Sequence, residues 1–158
     1  MDFQISVDIA APADVVWSVM SDVERWHEWT ASIRGVRLFD PAPLRVGSRA
    51  LIRQPKFPPA MWQVVSLDPG SNFVWKSGVP GMWVFAYHSV ESIASPASGD
   101  AAIGSAGSNG VRTRARLRLH FAGPVSRLLG RLTANINDRY LAMEAAGLKQ
   151  RCEQRAAA

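Results

Sequence analysis

Apolar and polar residues alternate one by one at the start of the chain, with Phe3, Ile5, Val7 and Ile9 set against Asp2, Gln4, Ser6 and Asp8. A period of two puts every second side chain on one face, so this stretch reads as a strand with one side buried. Pro12 suits the first position of a helix, and Val15, Val16, Val19 and Met20 supply an apolar stripe that runs to about Ser21. Ser21 and Glu24 have the spacing of a capping box, which predicts a second short helix carrying Trp26.

From residue 32 the pattern becomes short extended runs: Ile33 to Phe39, Ser48 to Gln54, Met61 to Leu67, Phe73 to Ser77, Met82 to Ile93 and Val111 to Phe121. Pro41 and Pro43, then Pro55, Pro58 and Pro59, then Asp68-Pro69-Gly70, then Pro80-Gly81 each stop one run and start the next. Runs this closely spaced should pair antiparallel, giving about seven strands with the first. Ala94 to Gly110 is Ser, Ala and Gly with almost no large apolar residue, the composition of a flexible loop, and it carries no chemistry in this reading. After Gly123-Pro124 the period turns helical. Val125, Leu129, Leu132, Ile136, Tyr140, Met143 and Gly147 recur every three or four residues, predicting one long amphipathic helix. The fold class is therefore α+β, with a sheet that buries one face on the last helix and no repeat or linker to divide residues 1–158.

Composition adds limits rather than detail. Of 158 residues 47% are hydrophobic and 20% charged, which is globular and excludes wholesale disorder. Met1-Asp2-Phe3-Gln4 is not a signal-peptide opening, and no run approaches the ~20 apolar residues of a membrane span, so a cytoplasmic protein without stable membrane insertion is expected. Cys152 is the lone cysteine and can form no internal disulfide. The net charge of +5 is modest, and the acidic residues are spread along the chain.

Ile9-Ala10-Ala11-Pro12 followed by Val16-Trp17, Asp22 and Trp26 forms one landmark. A second is Gly110-Val111-Arg112-Thr113, then Phe121-Ala122-Gly123-Pro124, then Leu148-Lys149 and Glu153. In their order and spacing these resemble the START-like (SRPBCC) superfamily, in its polyketide cyclase/dehydrase and lipid-transport branch, over nearly the whole chain. The resemblance implies a helix-grip fold: two short helices after strand one, and a seven-stranded antiparallel sheet curved around the C-terminal helix with an elongated apolar cavity between them. It implies a binder rather than a particular reaction, because one fold hosts many activities.

Candidate residues follow from parity. On the last strand Val111, Thr113, Ala115, Leu117, Leu119 and Phe121 should face the helix, leaving Arg112, Arg114, Arg116, Arg118 and His120 outside. That arginine row reads either as a solvated strand paired with acids such as Glu91 or as a docking face for an anionic partner. With no aromatic platform beside it, nucleic acid is not expected as a partner. On the preceding strand Glu91 argues that its parity is outward, which turns Val84 and His88 inward. His88 is a candidate for hydrogen-bonding a ligand carbonyl or for acid/base chemistry; a core histidine satisfied by a neighbour is the alternative. Trp26, Trp29, Trp62 and Trp75 are candidates for the cavity wall or its mouth, with Trp26 and Trp29 preferred as a gate by the resemblance, whereas Trp17 reads as core. On the long helix Leu132, Ile136, Tyr140 and Met143 share the sheet face, and Tyr140 and Asn135 are candidates for a ligand's polar contacts.

His27, His88 and His120 sit on different elements, so no metal set is expected, and no nucleotide fingerprint or nucleophile elbow points to a cofactor or covalent catalysis. The leading expectation is a carrier or sensor that binds a hydrophobic small molecule. The alternatives are a polyketide cyclase/dehydratase-like enzyme using His88 and an interaction module using the arginine row.

Overall fold

The computed structural model describes residues 1–93 and 111–158; the expected loop from Ala94 to Gly110 lies outside them. Seven strands form one antiparallel sheet: β1 Asp2–Ile9, β2 Gly35–Leu38, β3 Arg49–Gln54, β4 Phe57–Asp68, β5 Asn72–Val79, β6 Met82–Ile93 and β7 Arg112–Ala122. Their order across the sheet is β1-β7-β6-β5-β4-β3-β2, so every consecutive pair from β2 to β7 is adjacent and β1 closes against β7. Helix α1 (Ala13–Ser21) and a 3₁₀ helix (Val23–Glu28) follow β1, and α2 (Ser126–Leu132) and α3 (Ala134–Ala156) end the chain. The α+β helix-grip architecture is the one expected. No helix among the described residues is long and apolar enough to cross a membrane.

Parity in β6 and β7 is as the sequence pattern predicts except at Val111, which was expected inward but precedes β7 and is exposed. Ala86, His88 and Val90 are buried with Thr113, Ala115, Leu117 and Phe121, while the opposite parity faces out. Three of the outward arginines and His120 meet carboxylates supplied by the two neighbouring strands. Arg114 holds Asp8 of β1 through two bonds of 2.7 and 3.0 Å, Arg116 reaches Glu91 of β6 at 3.0 Å, and Arg118 and His120 share Asp2 at 2.6 and 2.9 Å. Hydrogen bonds from His120 and Arg118 hold the Asp2 carboxyl below its ordinary range, as the bond from Arg114 does for Asp8.

Three expectations about elements need correction. First, β4 begins at Phe57 rather than Met61, taking Pro58 and Pro59 into the strand. The prolines are tolerated because β4 pairs with β5 only from Gln63 onward, and its register with β3 slips between Ile52 and Gln54. Second, no capping box forms. The Ser21 hydroxyl donates to the Trp17 carbonyl at 2.8 Å and Glu24 Oε1 accepts from the Leu38 amide at 3.0 Å, so the Trp26 segment is a 3₁₀ turn whose cap is Asp22. Third, the single long helix breaks at Thr133, where φ is −103° and ψ 3°. The Thr133 hydroxyl donates back to the Leu129 carbonyl at 2.8 Å, a local bond that bends helices by competing with the next turn.

The break resets which face of α3 is buried. Asn137, Leu141, Ala145, Leu148 and Cys152 form the inward stripe, with Tyr140 beside it. Burial raises the Cys152 thiol to about 12, so it is a packed, unreactive side chain. At Gly147 the helix touches the backbone of Trp29, and a Cβ there would overlap the Trp29 carbonyl.

Candidate functional site

Pairing of β5 with β6 sets Phe73 beside His88 and Trp75 beside Ala86, so alternate residues of both strands project to the same concave face. His88 lies flat on Phe73, with ring centroids 4.6 Å apart and planes at 7°, and Trp75 meets it edge-on at 5.8 Å. Trp26 completes the cage from the 3₁₀ helix, 5.2 Å from His88 and 5.3 Å from Trp75, anchored by its indole N–H donating to the Met20 carbonyl at 3.0 Å. Trp62 extends the aromatic surface from β4, 5.8 Å from Trp75. Inside this cage His88 Nδ1 is sealed from solvent without a hydrogen-bond partner. Burial lowers the imidazole to about 3, opposed by the Ala86 backbone, so His88 is neutral at physiological pH.

A second polar feature lies on α3. Glu144 Oε1 accepts from the Ser32 hydroxyl at 2.9 Å, and Ser32 is itself 2.9 Å from the Thr30 hydroxyl, both of the latter buried. Burial raises the Glu144 carboxyl to about 7, partly offset by the Ser32 bond. Two elements are thus tied together: the segment after the 3₁₀ helix supplies the hydroxyls and α3 the acid. One turn earlier, Tyr140 Oη accepts from the Lys56 amide at 3.0 Å, and its ring meets Phe57 edge-on at 5.8 Å, linking α3 to the β3–β4 hairpin.

Between these groups is a cavity of about 540 Å³. Trp26, Trp75, Ala86, His88, Leu117 and Ile52 wall its buried end. Its outer wall includes the exposed Pro58, Pro59, Met61, Gly78 and Val79, so it opens between the start of β4, the β5–β6 turn and α2. Such a shape, mostly apolar with a few convergent polar groups, is the usual form of a small-molecule site.

Of the residues singled out from sequence, Trp26, Trp62, Trp75, Val84, His88 and Tyr140 are on the cavity wall. Trp29, Leu132, Asn135 and Ile136 are not. Trp29 packs against Trp26 at 5.7 Å and sets its carbonyl on Gly147, and Trp26 closes the deep end rather than the mouth, so the two form no gate. Leu132 and Asn135 are exposed because the Thr133 break turns α2 and α3 out of phase with a continuous helix. Leu129, Thr133, Asn137, Leu141 and Glu144 line the cavity in their place. Asn137 and Glu144 had a readable signal, lying three before and four after Tyr140 and hence on its face. The Ser32–Glu144 contact spans 112 positions and had none. Among the described residues no cluster of His, Cys, Asp and Glu is arranged to hold a metal.

The family described as polyketide cyclase/dehydrase and lipid transport matches residues 1–153. The chain belongs to that family. No curated protein matches the chain closely enough to count as a relative. Among solved structures, this family member resembles the ZhuI aromatase/cyclase from Streptomyces sp. R1128 at 16% identity and a TM-score of 0.70, covering 98% of this chain and 94% of that one. A protein from Thermobifida fusca is similar at 17% identity and 0.70, over 97% and 93% of the two chains. XoxI from Bacillus cereus follows at 10% and 0.67, over 95% and 94%. At these identities the likeness concerns the fold.

Proposed function

We propose that the protein binds a hydrophobic small molecule, a lipid, polyketide or aromatic compound, between the sheet and α3, as a carrier or sensor. The observation that carries this reading is the apolar cavity of about 540 Å³, open at one end and walled by three tryptophans. Burying an apolar ligand there gains about 25 cal/mol per Å² removed from water, while Glu144 and His88 offer a few polar points to orient it. The test is native mass spectrometry of the purified protein, followed by tryptophan emission during titration with fatty acids, sterols, flavonoids and aromatic polyketides. A co-purified or saturably bound apolar molecule supports the reading; no binding across the panel with unchanged emission overturns it.

One observation favours a second reading, an enzyme of the cyclase/dehydratase kind. Glu144 faces the cavity and is raised to about 7, where a carboxyl can take a proton from an acidic carbon and return one to a departing hydroxyl. His88, held near 3, is a poor proton acceptor at neutral pH, so the acid/base role considered for it from sequence passes to Glu144 in this reading. Under it, Glu144→Gln loses turnover by about two orders of magnitude or more while retaining ligand binding. Turnover unchanged by that substitution rules the reading out.

A further inference from the structure

Helix α2 is built inside out. Over Ser126–Leu132 it buries its two smallest residues, Ser126 and Gly130, and turns Leu128 and Leu132 to solvent at 63% and 72% exposure. Gly130 explains the seating: a Cβ there would run into the Met1 side chain, whose amino group donates to the Phe121 carbonyl at 3.1 Å. A helix packed only on its own protein would bury the leucines instead. Arg127 and Arg131 are exposed beside them, and the helix has no acidic residue. The apolar surface continues past α2. Val125, 37% exposed, lies over the β5–β6 turn, where its amide donates to the Gly81 carbonyl at 3.3 Å, and Val79, the last residue of β5 beside that turn, is 52% exposed. Val79 and Leu129 are also cavity-wall residues, so this surface rims the cavity mouth.

We propose that α2 and the β5–β6 turn form a peripheral docking surface for an anionic lipid bilayer, with Leu128 and Leu132 entering the headgroup boundary while Arg127 and Arg131 pair with lipid phosphates. Charge selects this occupant. A second copy packed about a two-fold axis would set the arginines of α2 against their own kind, with no carboxylate on the helix to meet them. An anionic surface supplies the missing charge, and two leucines suit reversible surface binding rather than insertion. This partner is additional to the cavity's ligand and independent of it: docking can fail while the cavity still fills, and the reverse.

The experiment is co-sedimentation with phosphatidylcholine vesicles, with and without phosphatidylserine, at low and high salt. It compares the wild type, Leu128→Asp with Leu132→Asp, Arg127→Gln with Arg131→Gln, and a control pair on β7, Arg116→Gln with Arg118→Gln. The four substituted positions of α2, Arg127, Leu128, Arg131 and Leu132, are exposed, so the fold is retained, which far-ultraviolet circular dichroism checks. Expected are binding that needs phosphatidylserine and weakens with salt, its loss in the leucine pair, a roughly thirtyfold weakening in the α2 arginine pair, and no change in the β7 pair. Absence of binding to the anionic vesicles overturns the proposal. So does loss confined to the β7 pair, or a wild-type dimer that the leucine pair disperses without any vesicle binding. Tryptophan-reported ligand titration on the same samples separates failed docking from a cavity that takes no ligand.

Discussion

His88 and Glu144 are two ionisable groups that burial pushes toward neutrality from opposite directions, and their linkage to folding has opposite sign. His88 falls from 6.5 to about 3, so between those values the unfolded chain takes up a proton that the folded one refuses, and stability decreases as pH falls through that window. Glu144 rises from 4.5 to about 7, so the folded protein keeps a proton that the unfolded chain has released, and stability decreases as pH rises through that window. Each slope is about 1.4 kcal/mol per pH unit for one proton, and between 4.5 and 6.5 the two oppose each other. We expect urea unfolding of Glu144→Gln to expose the His88 slope, with stability falling on acidification from pH 6.5. His88→Leu should expose the other, with stability falling as pH climbs from 4.5 to 7. Single variants with the same flat profile as the wild type would mean that neither group is buried as described.

At the scale of elements, the tightest constraint is where α3 crosses the segment after the 3₁₀ helix. Gly147 meets the Trp29 backbone there, and the same segment carries Trp26 into the aromatic cage and Ser32 to Glu144. Gly147→Ala should therefore force the segment away from the helix, destabilising the fold by about 1–3 kcal/mol in denaturant unfolding and weakening ligand binding as well. An unchanged midpoint would show that the segment moves freely. This contact was invisible in the sequence, where Gly147 merely continued a helical period. Strand parity within β1, β6 and β7, by contrast, was legible, because alternation depends only on which face meets the core. The phase of the last helices was not. It hinges on one hydroxyl, Thr133, bonding back to Leu129, after which the inward stripe runs through Asn137, Leu141, Ala145, Leu148 and Cys152 rather than Leu132 and Ile136. Hydrophobic periodicity weighs side chains by size and polarity, so the amide and small members of that stripe escape it, and an exposed leucine misleads it.

For the whole molecule, the question is whether the void between sheet and helix is the site of binding, and Ala86 offers a direct answer. It lies at the buried end of the cavity beside Trp75, on a strand paired along both edges, so its backbone is held in place. Ala86→Leu adds apolar bulk where the structure has space. The added side chain should leave the empty protein as stable as before or slightly more so, because filling a void recovers contacts. The same side chain occupies part of the ligand's volume, and overlap with a closely fitting ligand should weaken binding by about tenfold or more. Thermal unfolding with and without ligand reads both effects at once. A ligand at a hundred times its dissociation constant stabilises the wild type by about 2.7 kcal/mol, and that increment should shrink in the variant while the ligand-free transition holds its position. If the increment survived intact, the ligand would have to bind elsewhere. A second concavity on the described surface, around Ser6, Asp8, Arg114 and Arg116, is polar and already neutralised by its own ion pairs, which suits an apolar molecule poorly.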